Sequence, residues 1–276
     1  MIYPQSIGFP SQCHNDDGNL PRICWCPTGP LAFLPIHAAG IYDAEDDRTK
    51  VFDFVVSSYT PTVSALLKPN PPKLHSLKVL AICQAQQTIR GFSALPETKR
   101  EVEHLAKRTT ASSVDLVVVE DAAGTIHRVL EEMKICNWIH LACHGTQNLD
   151  SPTKSAFILA DGDLELAEII KRPLPHARFA FLSACQTATG DAKLAEEAVH
   201  MAAGMMLAGY QSVIATMWSI QDKDGPVVAD AVYAEMLKDG KADHTRAAHG
   251  LHRAVGQLRD SGAPFLAWMP FIHMGS

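Results

Sequence analysis

The sequence lacks paired cysteine spacing, since none of its seven cysteines belongs to a CxxC pair. The Cys24-Trp25-Cys26 spacing is too short for the usual zinc pair. An odd number of cysteines without paired spacing is typical of a reducing compartment. We therefore expect a cytoplasmic or nuclear protein, with cytoplasmic preferred, whose thiols are mostly inert. The cysteines are Cys13, Cys24, Cys26, Cys83, Cys136, Cys143 and Cys185.

Long apolar runs and basic clusters are also missing. No segment has the roughly 18 uninterrupted apolar residues of a membrane span, and residues 1–20 lack the basic and apolar regions of a signal peptide. The net charge is −6, and no Lys/Arg cluster forms a phosphate-binding patch. These absences argue against nucleic-acid and membrane partners. The 276 residues, 47% hydrophobic and 20% charged, are ample for a globular core.

After residue 72, short apolar runs alternate with helical patterns. The runs are continuous, which indicates a parallel sheet covered on both faces. They lie at 79–83, 116–119, 138–143, 179–182 and 213–217. Helices are predicted at 96–110, 125–134, 193–208, 226–238 and 244–260. The first of these has Val102, Leu105 and Ala106 on one face and its charges elsewhere, and a turn is expected at Asp161-Gly162.

The first 72 residues have a different pattern, rich in strand and turn signals. Pro27-Thr28-Gly29-Pro30 stands between two apolar runs and indicates a hairpin, and residues 50–61 are predicted as a strand. Pro69, Pro71 and Pro72 then interrupt the chain. We expect a β-rich N-terminal subdomain over residues 1–72 and an α/β core over 73–276.

Two reactive residues stand where apolar runs end. His144 follows the third run, with Gly145 after it, and Cys185 follows the fourth in FLSACQTATG. Ligands bind beyond the carboxyl ends of parallel strands. If these strands are neighbours, the imidazole and the thiol share one crevice, which is the minimum apparatus for nucleophilic acyl transfer. The backbone amides of Gly145 and Cys185 would hold the oxyanion, because glycine allows a substrate to approach closely.

Other interpretations of these residues remain open. A cysteine and a histidine at strand ends are more often packed or capping residues than catalytic ones. His140 and His144 share one face of a strand and could bind zinc, but no third ligand is marked out nearby, so no metal is predicted. Cys136 and Cys143 are expected to be core sulfurs.

The segments IHLACHG, SAFILADGDLELAEII and FAFLSACQTATGDAKLAEEAVHMAAG resemble the CHAT family. This family is a caspase-like domain, related to caspases and separases, that often follows tetratricopeptide repeats. The resemblance covers nearly the whole chain, from about residue 20 to residue 274. It implies a caspase-like three-layer sandwich with a mostly parallel central sheet. It also implies a His144/Cys185 dyad, with the oxyanion held by the amides of Gly145 and Cys185, and no cofactor.

Residues 217–225, MWSIQDKDG, are similar to the separase stretch around WDVTDKD, where an aspartate lines the pocket for a basic side chain. The resemblance makes Asp222 and Asp224 candidates to pair with an arginine or lysine of the substrate, and Asp191 could serve instead. Asp224 could equally cap a helix that begins near Pro226, and Asp191 one that begins near Lys193.

The sequence thus predicts a cysteine endopeptidase of the caspase/separase type, which hydrolyses peptide bonds through a thioester. The resemblance implies a protein or peptide substrate and, as a partner, an N-terminal repeat region or activating protein outside this chain, without which the enzyme would be latent. The alternative is a catalytically inert caspase-like scaffold in a signalling protein.

Overall fold

The structure is a computed structural model, and it describes residues 20–43, 48–67, 76–86, 92–112, 114–148, 150–183 and 197–276. In the last range, side chains are described from residue 201 onward. Within these ranges the chain forms a central sheet with helices on both faces and a second, three-stranded sheet at one end.

The strands are short and mostly buried. They are β1 (Arg22–Trp25), β2 (Val56–Tyr59), β3 (Lys78–Cys83), β4 (Asp115–Glu120), β5 (Trp138–Ala142), β6 (His144–Thr146), β7 (Ala156–Ile158), β8 (Asp163–Glu165), β9 (Phe179–Leu182), β10 (Ser212–Thr216) and β11 (Phe271–Gly275). The helices are α1 (Val63–Leu66), α2 (Glu97–Ala111), α3 (Ile126–Met133), α4 (Leu166–Ile170), α5 (Glu197–Leu207), α6 (Asp224–Met236), α7 (Ala247–Asp260) and α8 (Phe265–Trp268).

In the described residues the central sheet has the order β1-β2-β11-β10-β9-β5-β3-β4. The five neighbouring strands β4, β3, β5, β9 and β10 are mutually parallel. β11 is antiparallel to β10, and β2 and β1 follow the direction of β11. β5 and β9, which contain the third and fourth apolar runs, are neighbours. The carboxyl ends of these two strands therefore lie side by side, as the expected crevice requires.

Two apolar layers enclose the sheet. One contains side chains of α3, α4 and α5, and the other contains side chains of α2, α6 and α7. Adjacent residues of β3 contribute to opposite layers, since Leu80 and Ile82 belong to the first and Val79 and Ala81 to the second. Burying each large aliphatic side chain contributes about 1.5–3 kcal/mol. This burial on both sides explains the continuous apolar runs, and the expected three-layer sandwich is confirmed.

The N-terminal strands belong to this same sheet. The predicted hairpin is wrong, because β1 pairs in parallel with β2 and Gly29–Phe33 is a 3-10 helix instead of a turn between paired strands. Only Val56–Tyr59 of the predicted strand at 50–61 is extended, and Val51–Asp53 forms another 3-10 turn. Local turn signals failed here because the partner of β1 is distant in sequence. The domain boundary after residue 72 stays a prediction.

The small antiparallel sheet lies at the carboxyl end of β5. β6 begins at His144, directly after Cys143, and pairs with β7, which pairs in turn with β8. The predicted turn at Asp161-Gly162 joins β7 to β8. Asp161 also fixes this sheet to the next layer, since its Oδ1 accepts a 2.8 Å hydrogen bond from the amide of Ile126 at the start of α3.

Helices α6 and α7 meet at a glycine. A Cβ atom at Gly250 would lie 3.2 Å from both the Cα and the carbonyl oxygen of Val232, whereas at Gly256 it would meet only a guanidinium nitrogen of Arg259 at 3.6 Å. Gly250→Ala is therefore expected to lower the free energy of unfolding by about 1–2 kcal/mol. Gly256→Ala, on the same helix, should raise it by up to about 1 kcal/mol. Denaturant titration measures both, and equal stability of the two variants would show that α6 and α7 separate easily.

Candidate active site

His144 is held at the carboxyl edge of the sheet by residues that follow β3. Its side chain is buried, and its Nε2 lies 2.7 Å from the carbonyl oxygen of Ser93. The ring also stacks on Phe92, with centroids 5.0 Å apart and planes 28° from parallel. β3 and β5 are neighbouring parallel strands, so the segments that leave their carboxyl ends meet here, as in other α/β sheets.

The bond to Ser93 determines the tautomer of His144. A carbonyl oxygen can only accept, so Nε2 carries the hydrogen and the lone pair of the neutral ring is on Nδ1. Nδ1 is buried and has no hydrogen-bond partner in the described part of the chain. An unpaired buried nitrogen costs free energy. His144 thus has an oriented, unused basic nitrogen, which is what a general base requires.

The strand that precedes Cys185 lies directly beside the strand that precedes His144. Leu141 of β5 is opposite Leu182 of β9, and in sequence His144 and Cys185 each follow that pair by three residues. Ser183 is the last residue before the undescribed range 184–196, so Cys185 and Asp191 lie outside the described residues. The dyad therefore stays a prediction, supported by the adjacency of the two strand ends.

Gly145 is the middle residue of β6, opposite Phe157. Its place directly after His144 is compatible with an oxyanion role, which stays a prediction. His140 and His144 do not face a common ligand. His140 Nε2 lies 3.1 Å from Glu101, whereas His144 Nε2 contacts Ser93. In the described ranges, no group of three or more His, Cys, Asp or Glu residues could hold a metal ion.

Asp222 contacts the chain four residues after Ser93, the residue that holds His144. It is half-buried, and its Oδ2 accepts a 3.0 Å hydrogen bond from the amide of Glu97 at the start of α2. Burial raises the pKa of Asp222, and the charges of Glu97 and Glu101 raise it further, while the Glu97 amide and, least of all, His144 oppose the rise. Asp222 therefore caps a helix that comes from a distant segment.

Asp224 has a different environment. It is the first residue of α6, whose N-cap residue Lys223 makes no side-chain capping bond. The helix begins at Asp224 and not near Pro226, so the interpretation of Asp224 as the residue that precedes and caps the helix is wrong. Its side chain is buried, Oδ2 has no hydrogen-bond partner within the described ranges, and burial raises its pKa.

Three described cysteines are core sulfurs. Cys83, Cys136 and Cys143 are each at most 2% exposed. Burial raises the pKa of Cys83 to about 11 and that of Cys136 to about 12. Such thiols are protonated and inert at neutral pH. The prediction for Cys136 and Cys143 is confirmed, and Cys26 is the exposed cysteine of the described ranges.

The sequence reasoning missed a buried carboxylate next to this site. Glu101 was expected on the charged face of its helix, yet it is 2% exposed. A signal was present, because residues 98, 101, 102, 105 and 109 of α2 follow helical spacing and all are buried. Ser93 carried no such signal, since it contributes a backbone oxygen that any residue would supply.

Comparison with known proteins identifies the relatives of this arrangement. A family model described as the CHAT domain matches residues 4–276. The Arg-specific cysteine proteinase gingipain R (RgpB) is 11% identical, with a TM-score of 0.52 over 84% of this chain and 56% of that chain. The complex of Porphyromonas gingivalis RgpB pro- and mature domains is also 11% identical, with a TM-score of 0.57 over 95% and 66%.

A third similar structure is the Saccharomyces cerevisiae separase–securin complex, at 14% identity and a TM-score of 0.54 over 80% of this chain. The present chain spans only 14% of that chain, and 56% and 66% of the two gingipain chains. At these identities the likeness shows a common caspase-like α/β fold. No curated protein matches the sequence significantly. None of the described helices is long and apolar enough to cross a membrane.

Proposed function

The chain belongs to the CHAT domain family, and on that basis we propose that it is a cysteine endopeptidase in which Cys185 is the nucleophile and His144 the general base. One observation supports this most directly. The ring of His144 is held through Nε2 by Ser93, and its basic Nδ1 is left without a partner in the described residues. A ring held through one nitrogen, with its other nitrogen unused, has the arrangement that a general base requires.

The proposed reaction needs no cofactor. Nδ1 of His144 takes the proton of the Cys185 thiol, and the sulfur attacks the carbonyl carbon of the scissile bond. The amides of Gly145 and Cys185 hold the oxyanion. When the C–N bond breaks, His144 gives its proton to the departing amine and a thioester remains. A water molecule, deprotonated by His144, then attacks the thioester, and the released sulfur recovers the proton.

Selective alkylation tests this proposal against the inert scaffold. A peptidyl-arginine chloromethyl ketone should label Cys185 faster than Cys26, which is exposed and serves as an internal reference. His144→Ala should lower the labelling rate of Cys185 by about 10²- to 10⁴-fold, because the base that activates the thiol is gone. Peptide mapping by mass spectrometry measures each rate. Equally slow labelling of both cysteines, unchanged in His144→Ala, would support the inert scaffold.

We further propose that the substrate carries a basic residue before the scissile bond. Gingipain R, one of the similar structures, is Arg-specific, and MWSIQDKDG resembles the separase pocket segment. Asp222 is the best candidate to pair with the guanidinium, because it is half-buried and contacts the start of α2, the helix that follows the segment holding His144. Its carboxylate uses one oxygen on the Glu97 amide and keeps further acceptor capacity. Asp224 is more enclosed, and Asp191 lies outside the described residues.

Latency and a protein partner are the last parts of the proposal. The separase structure is a complex with another protein, securin, which supports regulation by a partner here. The segment that orients His144, residues 92–95, is neither helix nor strand. A repeat region or activating protein that moves Phe92 and Ser93 would move the base with them. The cysteine usage supports a cytoplasmic location.

A further inference from the structure

A buried polar cluster lies behind the candidate site. We define the Glu101 cluster as Glu101 of α2, His140 of β5, Ser183 after β9 and Tyr233 of α6. All four side chains are at most 5% exposed. Ser183 Oγ donates a 3.0 Å hydrogen bond to Glu101 Oε2. Glu101 Oε1 lies 3.1 Å from His140 Nε2, and His140 Nδ1 lies 3.1 Å from the hydroxyl of Tyr233.

The hydrogens of the cluster can be assigned from chemistry. Burial and, to a smaller extent, the charge of Glu101 raise the pKa of Tyr233 well above its usual value. Its hydroxyl therefore stays protonated and can donate to His140 Nδ1, so that Nε2 carries its hydrogen toward the Glu101 carboxylate. The Nε2–H does not point straight at Oε1, so this contact is electrostatic and not a well-aligned hydrogen bond.

The first turn of α6 packs against the cluster. A Cβ atom at Gly225 would lie 3.0 Å from Ser183 Oγ and 3.2 Å from Glu101 Oε2. Glycine therefore lets the amino end of α6 approach the carboxylate, where the positive end of the helix dipole favours a negative charge. The ring of His140 stacks on Phe181, its cross-strand partner in β9, at 5.1 Å. The cluster thus ties β5, β9, α2 and α6 together.

Stability alone does not explain such a cluster, because buried polar and charged groups are often no more stabilising than well-packed apolar groups of the same volume. What it adds is direction, since the hydrogen bonds from Ser183 to Glu101 and between Tyr233 and His140 fix both distance and angle. The cluster also lies close in sequence to both proposed catalytic residues. In sequence, His140 stands four residues before His144, and Ser183 stands two residues before Cys185.

We propose that the Glu101 cluster positions the carboxyl ends of β5 and β9 relative to each other, and thereby holds the base and the nucleophile at reacting distance. This inference rests on the proposed function, in which His144 and Cys185 form the dyad. Glu101, His140, Ser183 and Tyr233 are positioning residues, because they act through the strands and not on the substrate.

Two single changes test the proposal, with one matched control. Glu101→Gln removes the charge with little change of shape, and Ser183→Ala removes one hydroxyl. The control is Ser212→Ala, which removes the hydroxyl that pairs with His273 in another buried network. Ser212 lies opposite Phe179, at the amino end of β9, far along the strand from Ser183. If Glu101→Gln does not fold, the same measurements on Ser183→Ala and Tyr233→Phe still test the proposal.

Amide hydrogen exchange is the first measurement, because it does not depend on catalysis. We expect faster exchange at residues 139–146 and 179–183 in Glu101→Gln and Ser183→Ala, and no selective change there in Ser212→Ala. The second measurement is alkylation of Cys185 by iodoacetamide in the folded proteins. Misplacing a reacting group by about 1 Å costs up to 10²-fold, so we expect a rate about 10- to 100-fold lower in the first two variants alone.

The outcomes separate the two proposals. Selective exchange together with slow alkylation supports the positioning role. Exchange at the strand ends that stays as in the wild type, or that rises uniformly as in Ser212→Ala, overturns it. When Cys185 of the wild type is reactive and its reactivity depends on His144, an unchanged alkylation rate in Glu101→Gln and Ser183→Ala also overturns it. If the wild-type thiol shows no such reactivity, this chain alone is latent or inert, and the proposed function is not supported. Exchange alone then decides whether the cluster positions these strands.

Discussion

Replacing Cys185 by alanine is expected to remove peptide hydrolysis altogether, and replacing His144 by alanine to lower kcat by about 10²- to 10⁴-fold. Without the sulfur no thioester can form. Without the imidazole the thiol stays mostly protonated, and the departing amine receives no proton. Because the two groups act as a unit, the double variant should be no less active than Cys185→Ala. Rates on a diverse peptide library, measured at saturating substrate, check these values.

The matched control for the nucleophile is Cys83→Ala. Cys83 also lies at the carboxyl end of a strand, β3, but it is buried, its Sγ lies 3.5 Å from Thr98 Oγ1, and burial raises its pKa to about 11. This variant should keep wild-type kcat at some loss of stability. Full activity in Cys185→Ala, or equal inactivation by Cys83→Ala, would contradict the assignment of the nucleophile.

Asp222→Asn is expected to lower kcat/KM for arginine substrates by about 100-fold, the usual cost of removing one member of a desolvated charge pair. The same variant should cleave a substrate with citrulline, the neutral analogue of arginine, as well as the wild type does. Asparagine keeps an oxygen that can accept the hydrogen bond from Glu97, so the cap of α2 is retained and the charge alone changes. Steady-state rates on paired arginine and citrulline peptides measure the difference.

Asp224→Asn is the comparison for this prediction. Because Asp224 is the more enclosed of the two, we expect similar losses on both peptides, and small ones. A selective loss on arginine peptides in Asp224→Asn would move the pocket to that residue. Equal losses on both peptides in Asp222→Asn would show that Asp222 supports α2 and does not read the substrate.

The sheet around the site could be predicted because its signals are local. The runs at 138–143 and 179–182 became β5 and β9, and the helical pattern at 96–110 became α2. Parallel strands buried on both faces must be apolar throughout, so each run marks its own strand. The place of His144 followed from the same rule, because the residue after a parallel strand faces the ligand-binding edge.

The contacts that orient the site could not be predicted in this way. Ser93 holds His144 with a backbone oxygen, and Asp222 caps a helix that begins 125 residues earlier. Neither partner follows from local spacing, because both depend on how distant segments pack. Glu101 failed for a related reason. A carboxylate on the buried face of a helix is stable only when polar partners lie beside it, as Ser183 and His140 do here. A helical pattern alone does not show such partners.

The position of β11 has a consequence for the order in which the protein can assemble. β11 lies between β10 and β2, and the guanidinium of Arg22 donates to the carbonyl of Gly275, 253 residues away. During synthesis, β1 and β2 emerge long before the strand that joins them to the rest of the sheet, and β10 keeps an open edge until then. Open edges invite pairing with other chains. A chain that still lacks β11 therefore exposes strand edges that the finished sheet covers.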